Sequence, residues 1–134
     1  MNISELVDNF SALEDWEDRY KYLIDLGNTL PAMDDSLKTE TSKVRGCMSQ
    51  VWMVLGWDSQ GKLTLLADSD AQIVKGLIAV LATLFAGKTP AEIAKIDVER
   101  EFQQLGLDQH ISPNRRNGFF AMVEAVRAFT SRRT

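Results

Sequence analysis

Two short apolar runs in the middle of the chain constrain its fold more than any other feature. Residues 50–57 (QVWMVLGW) are apolar on both alternating faces, and a turn cluster at 58–61 separates them from a second apolar run at 62–67. Apolar runs of this length joined by a Gly-containing turn are typical of an antiparallel β-hairpin. A strand that is apolar on both faces needs cover on both, so we expect helices to pack against this small sheet.

Helices are predicted before the hairpin. Apolar residues recur at helical spacing from Leu6 onward, and Asp15 is a favourable N-cap for a second helix. Gly27 is expected to end that helix. The polar residues 34–43 that follow are predicted to form a loop.

Helices are also predicted after the hairpin. Ser69 and Gln72 fit a capping box, Asp70 would lie in the first turn of that helix, and Gly87 would end it. Three further helix starts are indicated by N-capping residues, which are Thr89, Asp97 and Ser112. The fold class is therefore α+β, with a small antiparallel sheet near residues 50–67 packed by N-terminal and C-terminal helices in a single domain, 1–134.

Composition excludes several functional classes. The net charge of -4 argues against nucleic acid as the main partner, because phosphate binding needs a clustered positive surface. The longest apolar stretch, 77–86, is too short to span a bilayer, and residues 1–10 lack the basic start of a secretory signal. We therefore expect a cytoplasmic protein that binds neither nucleic acid nor membrane.

The single cysteine, Cys47, limits the chemistry further. One Cys cannot form an internal disulfide, and unaided it cannot supply a CxxC redox pair, a zinc site or an iron–sulfur site. No Gly-rich phosphate loop and no metal-ligand constellation occur in the sequence, so we predict no intrinsic cofactor. A lone thiol suits a reducing compartment.

Two interpretations of Cys47 follow from its neighbours. Gly46 leaves the thiol without steric cover, and the nearby Lys43 and Arg45 favour the nucleophilic thiolate. Free Cys is also among the most buried residue types, which favours a small core residue instead. The sequence neighbours leave these interpretations about equal.

His110 and Arg115 are further candidates. His110, the only histidine, could act as a base for Cys47 or could fix a helix-to-helix connection by hydrogen bonding. Arg115 falls in the first turn of the last helix, where the helix dipole disfavours a cation. That position suggests a partner or an anion, although a solvated surface arginine is the commoner outcome.

Three stretches resemble the motifs of one known family. Residues 44–52 (VRGCMSQVW) resemble the Gly-Cys-x-Ser-Gln-Val-Trp motif of the SufE family of sulfur-acceptor proteins. Residues 68–77 (DSDAQIVKGL) resemble the second motif, and residues 109–115 (QHISPNR) with Gly118 resemble the third. The motifs occur in the family's order and extend the resemblance over nearly the whole chain.

The resemblance implies a function. Members of the SufE family bind a pyridoxal-phosphate (PLP) cysteine desulfurase, of SufS- or CsdA-like type, and stimulate it. They accept its sulfur as a persulfide on their cysteine and pass it to an iron–sulfur cluster assembly scaffold. By resemblance, Cys47 is the persulfide acceptor, the fold is similar to that of the cluster scaffolds, and PLP belongs to the partner rather than to this chain. The free protein is expected to be a monomer that acts as a sulfur-transfer accessory protein.

The resemblance also implies a set of residues that shape the Cys47 loop or dock the desulfurase: Arg45, Gly46, Ser49, Gln50, Asp70, His110 and Arg115. One alternative is a non-covalent adapter that activates a desulfurase allosterically while Cys47 is structural. Another is a cluster scaffold, but scaffolds use several thiolates with a carboxylate or His, and this chain has one Cys and one His.

Overall fold

The computed structural model describes residues 2–45 and 50–132, and it has the predicted α+β architecture. The elements in those ranges are α1 (Ile3–Ser11), α2 (Trp16–Asn28), a 3₁₀ turn (Asp35–Leu37), β1 (Val51–Trp57), β2 (Leu63–Ser69), α3 (Gln72–Phe85), α4 (Pro90–Ala94), α5 (Val98–Gln104), α6 (Leu107–His110) and α7 (Pro113–Ser131). No helix within these residues is long and apolar enough to cross a membrane.

The predicted hairpin is confirmed. β1 and β2 pair antiparallel, in a register that runs from Val51 opposite Ser69 to Trp57 opposite Leu63. Asp58 organises the turn, because its carboxylate accepts hydrogen bonds from the backbone N–H groups of Lys62 and Gln60, which hold its pKa below the usual value. The sheet thus has a fixed register, which determines the residues that lie beside one another at its two ends.

The inner face of the hairpin is buried in the core. Val51, Met53 and Ala67 are at most 7% exposed. At the far end of β1, the ring of Trp57 stacks on Phe129 of α7 with centroids 5.6 Å apart. Helices from the C-terminal half therefore cover this face, as predicted.

The outer face is less covered than predicted. The Nζ atom of Lys38, just after the 3₁₀ turn, lies 5.4 Å from the ring centroid of Trp52. Val54, two residues farther along β1, stays 37% exposed. The outer face of β1 is thus covered only in part, although helices pack against the sheet as predicted.

Four of the predicted helix starts are confirmed by their caps. The side chains of Asp15, Asp97 and Ser112 each accept a backbone N–H from the first turn of the helix that follows. Thr89 and Glu92 form a complete capping box with Pro90 at the first helical position. These caps depend on residues within one turn, which explains why sequence alone locates them.

The capping box predicted at Ser69 and Gln72 is wrong. Ser69 pairs opposite Val51 as the last residue of β2, and α3 begins at Gln72 after Ala71, which makes no side-chain cap. The Ser69 hydroxyl accepts the backbone N–H of Ala71 at 3.2 Å. Asp70 therefore lies outside the first turn of α3, and its carboxylate is available to another partner.

α2 and α3 cross at a pair of glycines. A β-carbon on Gly27 would lie 2.7 Å from the backbone N of Gly76, and one on Gly76 would lie 2.8 Å from the carbonyl carbon of Leu23. α2 continues one residue past Gly27 to Asn28, so Gly27 does not end the helix as predicted. Its role is to let the two backbones touch.

Candidate functional site

Three of the predicted site residues, Gly46, Cys47 and Ser49, lie outside the described residues. Covalent geometry still limits the position of Cys47, because the two residues from Arg45 to Cys47 span at most about 7 Å. Residues 45–50 are called the Cys47 segment, and the described residues that flank it define its surroundings.

The two ends of the Cys47 segment are tied to each other. The backbone N–H of Val44 donates to the carbonyl of Val51 at 2.8 Å, and that of Met53 donates to the carbonyl of Ser42 at 2.8 Å. Lys43 pairs with Trp52 as an antiparallel bridge. Both Val44 and Val51 are buried. The described ends of the segment are therefore anchored to each other and to the core.

Asp70 holds the returning end of the segment. Its Oδ1 accepts the backbone N–H of Gln50 at 3.1 Å, and its own backbone N–H donates to the Gln50 carbonyl at 3.3 Å. Two of the predicted site residues, 20 positions apart in sequence, are thus brought together. The carboxylate fixes the last residue before β1 begins.

A charged cluster that the sequence analysis missed lies next to this contact. The carboxylate of Asp68 pairs with Lys38 at 3.0 Å and with Lys75 at 3.4 Å. Asp68 lies opposite Trp52 in the register, and Lys38 lies over that indole ring. Asp68 and Asp70 are the last residue but one of β2 and the first residue after it, so the end of β2 brings both carboxylates to this part of the structure.

His110 is anchored to α2. Its ring stacks on Trp16 at a centroid distance of 3.9 Å and an interplanar angle of 17°, and its backbone carbonyl accepts the Tyr20 hydroxyl. The guanidinium of Arg19 lies 5.0 Å from the Trp16 ring centroid. These contacts fasten the end of α6, just before α7, to α2. A role of His110 towards Cys47 stays a prediction.

Arg115 lies in the first turn of α7 and is exposed. Its backbone N–H donates to the hydroxyl of the N-cap Ser112 at 3.3 Å. Among the described residues its side chain forms no salt bridge. The structure thus leaves the guanidinium accessible.

A groove lies beside the start of the Cys47 segment. It has a volume of about 380 Å³ and is lined by residues 41–45, by Met53 and Leu55 of β1, and by Ala121, Glu124 and Ala125 of α7. Arg45 is the predicted site residue that lines it. The contribution of α7 could not be inferred from the sequence motifs, because these residues are about 80 positions from Arg45 in the chain.

Comparison with known protein families identifies the family of this chain. Residues 4–130 match the family model described as SufE, the Fe-S metabolism associated domain. The chain belongs to the SufE family. Membership confirms the resemblance seen in the three sequence motifs and gives the protein a role in iron–sulfur metabolism.

A solved structure shares the fold of this SufE-family chain. The solution structure of a hypothetical protein from Thermus thermophilus superposes with a TM-score of 0.78, covering 97% of this chain and 93% of that one. The two sequences are 19% identical. At that identity the likeness concerns the architecture alone.

The side chains that could hold a metal or a cluster argue against the scaffold alternative for this SufE-family chain. Within residues 2–45 and 50–132, no group of three or more His, Cys, Asp or Glu side chains is placed to hold a metal ion. The whole sequence holds one Cys and one His, whereas a cluster scaffold needs several thiolates with a carboxylate or His. We therefore do not propose a scaffold role.

Removal of the Asp70 carboxylate should loosen the Cys47 segment. In Asp70→Ala the Gln50 N–H loses its acceptor, while the longer backbone bond at 3.3 Å remains. A net loss of about 1 kcal/mol at this site should speed exchange of the Gln50 amide about fivefold. Hydrogen–deuterium exchange followed by NMR measures this. Asp70→Asn, which keeps the Oδ1 acceptor, serves as the control, and equal exchange in all three proteins would contradict the assigned contact.

Asp68 should make the stability of the protein vary with pH in the acid range. Burial raises the pKa of Asp68, but hydrogen bonds from Lys38 and the Ser69 backbone and the charges of Lys75 and Lys38 outweigh it, leaving the pKa below its usual value. A carboxyl whose folded pKa lies below its unfolded pKa of about 3.9 stabilises the fold above about pH 4, and that stability is lost as pH falls through the folded pKa.

Asp68→Asn should therefore lower the free energy of unfolding at about pH 7 and flatten its decline below about pH 4. Urea unfolding at several pH values measures both effects. Asp35→Asn is the matched control, since Asp35 also lies near Lys38, at 3.3 Å, but its side chain is 96% exposed. The free energy of unfolding of this control should change little, because exposed salt bridges contribute little to stability. If the free energy of unfolding of Asp68→Asn falls with acid as steeply as that of the original protein, the prediction is contradicted.

Proposed function

We propose that this SufE-family chain accepts sulfane sulfur from a cysteine desulfurase as a persulfide on Cys47, stimulates that desulfurase, and passes the sulfur to iron–sulfur cluster assembly. The observation that carries the proposal is the family match over residues 4–130 in a chain whose one cysteine lies in the first family motif.

The transfer step is an exchange between sulfur atoms. The Cys47 thiolate attacks the outer sulfur of the persulfide on the desulfurase cysteine, a new S–S bond forms on Cys47, and the donor cysteine leaves as a thiolate. No net oxidation or reduction occurs, so no external oxidant is needed. Lys43 and Arg45, within four residues of Cys47, favour the attacking thiolate.

The anchoring of the Cys47 segment supports this role. Both ends are held by the Val44–Val51 pair, and Asp70 holds Gln50, so the segment has a fixed origin on the sheet. Arg45 and Gln50, the described ends of the segment, are both exposed. A short segment with fixed, accessible ends limits where a partner must place its own cysteine, which lowers the entropic cost of aligning the two sulfur atoms.

The lack of a second cysteine also supports the role. A neighbouring thiol would attack the persulfide, form a disulfide and release sulfide. The chain contains no such thiol. Sulfur on Cys47 can therefore leave only to another molecule, which is what a carrier requires.

The remaining predicted residues have supporting roles in this proposal. Arg45, Gly46, Ser49, Gln50 and Asp70 shape the Cys47 segment. His110 and Arg115 belong to the surface that docks the desulfurase. The PLP of the reaction belongs to the desulfurase, and a scaffold protein receives the sulfur downstream. The chain itself acts as a sulfur-transfer accessory protein.

Mass spectrometry of the intact protein tests the proposal. After incubation with a cysteine desulfurase and free cysteine, the chain should gain the mass of one sulfur atom, located on Cys47 by peptide mapping and removed by a reductant. No added sulfur would refute the proposal. Stimulation of the desulfurase without sulfur on Cys47 would favour the non-covalent adapter instead.

A further inference from the structure

We propose that the groove between residues 41–45 and α7 receives a segment of the desulfurase that carries an apolar side chain next to a carboxylate. The inference deepens the proposed function and rests on it. The groove is called the α7 groove, and its lining is that given above: residues 41–45, two residues of β1 and three of α7.

The floor of the α7 groove is apolar. Met53, 7% exposed, and the partly buried Leu55 supply it from β1, and Ala121 and Ala125, one helical turn apart, supply it from α7. The volume of about 380 Å³ lies at the small end of the range for ligand sites, which is about 300–1,000 Å³. The groove therefore has room for one or two protruding side chains.

The rim of the α7 groove is positive. Lys43 and Arg45 line it, and neither forms a salt bridge with any residue in the described part of the chain. The single acid of the lining, Glu124, lies 3.9 Å from Arg127 on its own helix, so a cation already accompanies it. In a chain with a net charge of -4, this local positive charge favours a carboxylate on the incoming segment.

The position of the groove identifies the occupant as the sulfur donor. Arg45 is two residues from Cys47, a span of at most about 7 Å. A protein that brings its own cysteine to Cys47 must therefore lay adjacent surface over the end of the groove. The groove wall at residues 42–44 is also the stretch that pairs with β1, so a docked segment is held directly against the anchor of the Cys47 segment.

Three variants test the inference. Arg45→Glu reverses the charge of the rim, Ala125→Leu fills the floor without changing charge, and Lys21→Glu makes the same charge change at an exposed site on α2 outside the groove. The partner is the purified desulfurase that loads Cys47 in the mass experiment. Its apparent Kd is measured by calorimetry at low and high salt, and thermal unfolding checks that each variant folds.

The expected pattern differs among the variants. Arg45→Glu should raise the apparent Kd at low salt about tenfold and reduce its salt dependence, because a charge-assisted contact is lost. Ala125→Leu should raise the Kd about tenfold at both salt concentrations. Lys21→Glu should stay within about twofold of the original protein, since Lys21 is exposed and does not line the groove.

Three outcomes would overturn the inference. If Cys47 takes up sulfur but Arg45→Glu and Ala125→Leu both bind like the original protein, the groove proposal alone fails. If no desulfurase loads Cys47, the proposed function and the groove proposal fail together. If the two variants change self-association of the chain in sedimentation but leave desulfurase binding intact, the groove serves a second copy of the chain.

Discussion

Replacement of Cys47 by serine should abolish sulfur transfer and leave the protein folded. Serine is close in size to cysteine, but its hydroxyl stays protonated at neutral pH and cannot hold a persulfide. Under the proposed mechanism no other residue can replace the thiol, because the chain has one cysteine. The mass gain on incubation with desulfurase and cysteine should vanish, and stimulation of desulfurase turnover should fall to background.

Stability measurements separate this result from a structural role of Cys47. Cys47→Ser and Cys47→Ala should both unfold within about 0.5 kcal/mol of the original protein, as substitutions outside a packed core do. A buried core cysteine would tolerate alanine better than serine, since an unpaired buried hydroxyl costs free energy. A large loss of stability in Cys47→Ser would support the core interpretation, and full stimulation by Cys47→Ser would support the adapter.

Local signals in the sequence predicted most of the fold. The hairpin follows from two apolar runs and a four-residue turn, and caps such as Asp15, Thr89 and Ser112 act within one helical turn. Ser69 shows where local signals compete. The sequence around Ser69 fits a helix cap, but the same residue can also pair opposite Val51 at the end of β2. In the structure Ser69 belongs to the sheet.

The surroundings of the candidate site were less predictable. The first family motif located Cys47, but its neighbours come from strand register and helix packing. Asp70 reaches Gln50 because β2 returns beside β1, and Asp68 pairs with Lys38, which lies over the ring of Trp52 opposite Asp68 in the register. Single-sequence periodicity carries no information on such pairings.

The groove beside Arg45 could not be predicted from sequence patterns either, because its lining residues are far apart in the chain. It exists because residues of α7 pack near β1, and a helical face as such does not reveal which strand it will approach. Similarly, the stacking of His110 on Trp16 joins residues 94 positions apart. The sequence named His110 as a candidate, whereas tertiary packing determines its contacts.

Gly76→Ala should destabilise the protein strongly, although alanine is the better helix former. Helix propensity alone would stabilise α3 by about 1 kcal/mol. The new β-carbon, however, would lie 2.8 Å from the carbonyl carbon of Leu23, so α2 and α3 must move apart. The obstacle is backbone rather than a flexible side chain. Overpacking of this kind costs about 1–3 kcal/mol or more, and we expect a net loss of about 2 kcal/mol.

Urea unfolding of Gly76→Ala measures this loss, and Ala82→Gly provides the control on the same helix. Ala82 is half-buried, and its loss should cost about 1 kcal/mol through propensity. The two variants should differ at the site as well. α3 begins two residues after Asp70, so a displaced α3 strains the bond from Asp70 to Gln50 and should speed exchange of the Gln50 amide. Ala82→Gly leaves the crossing intact and should leave that amide unchanged. A stability of Gly76→Ala equal to that of the original protein would show that the two helices do not meet at these glycines.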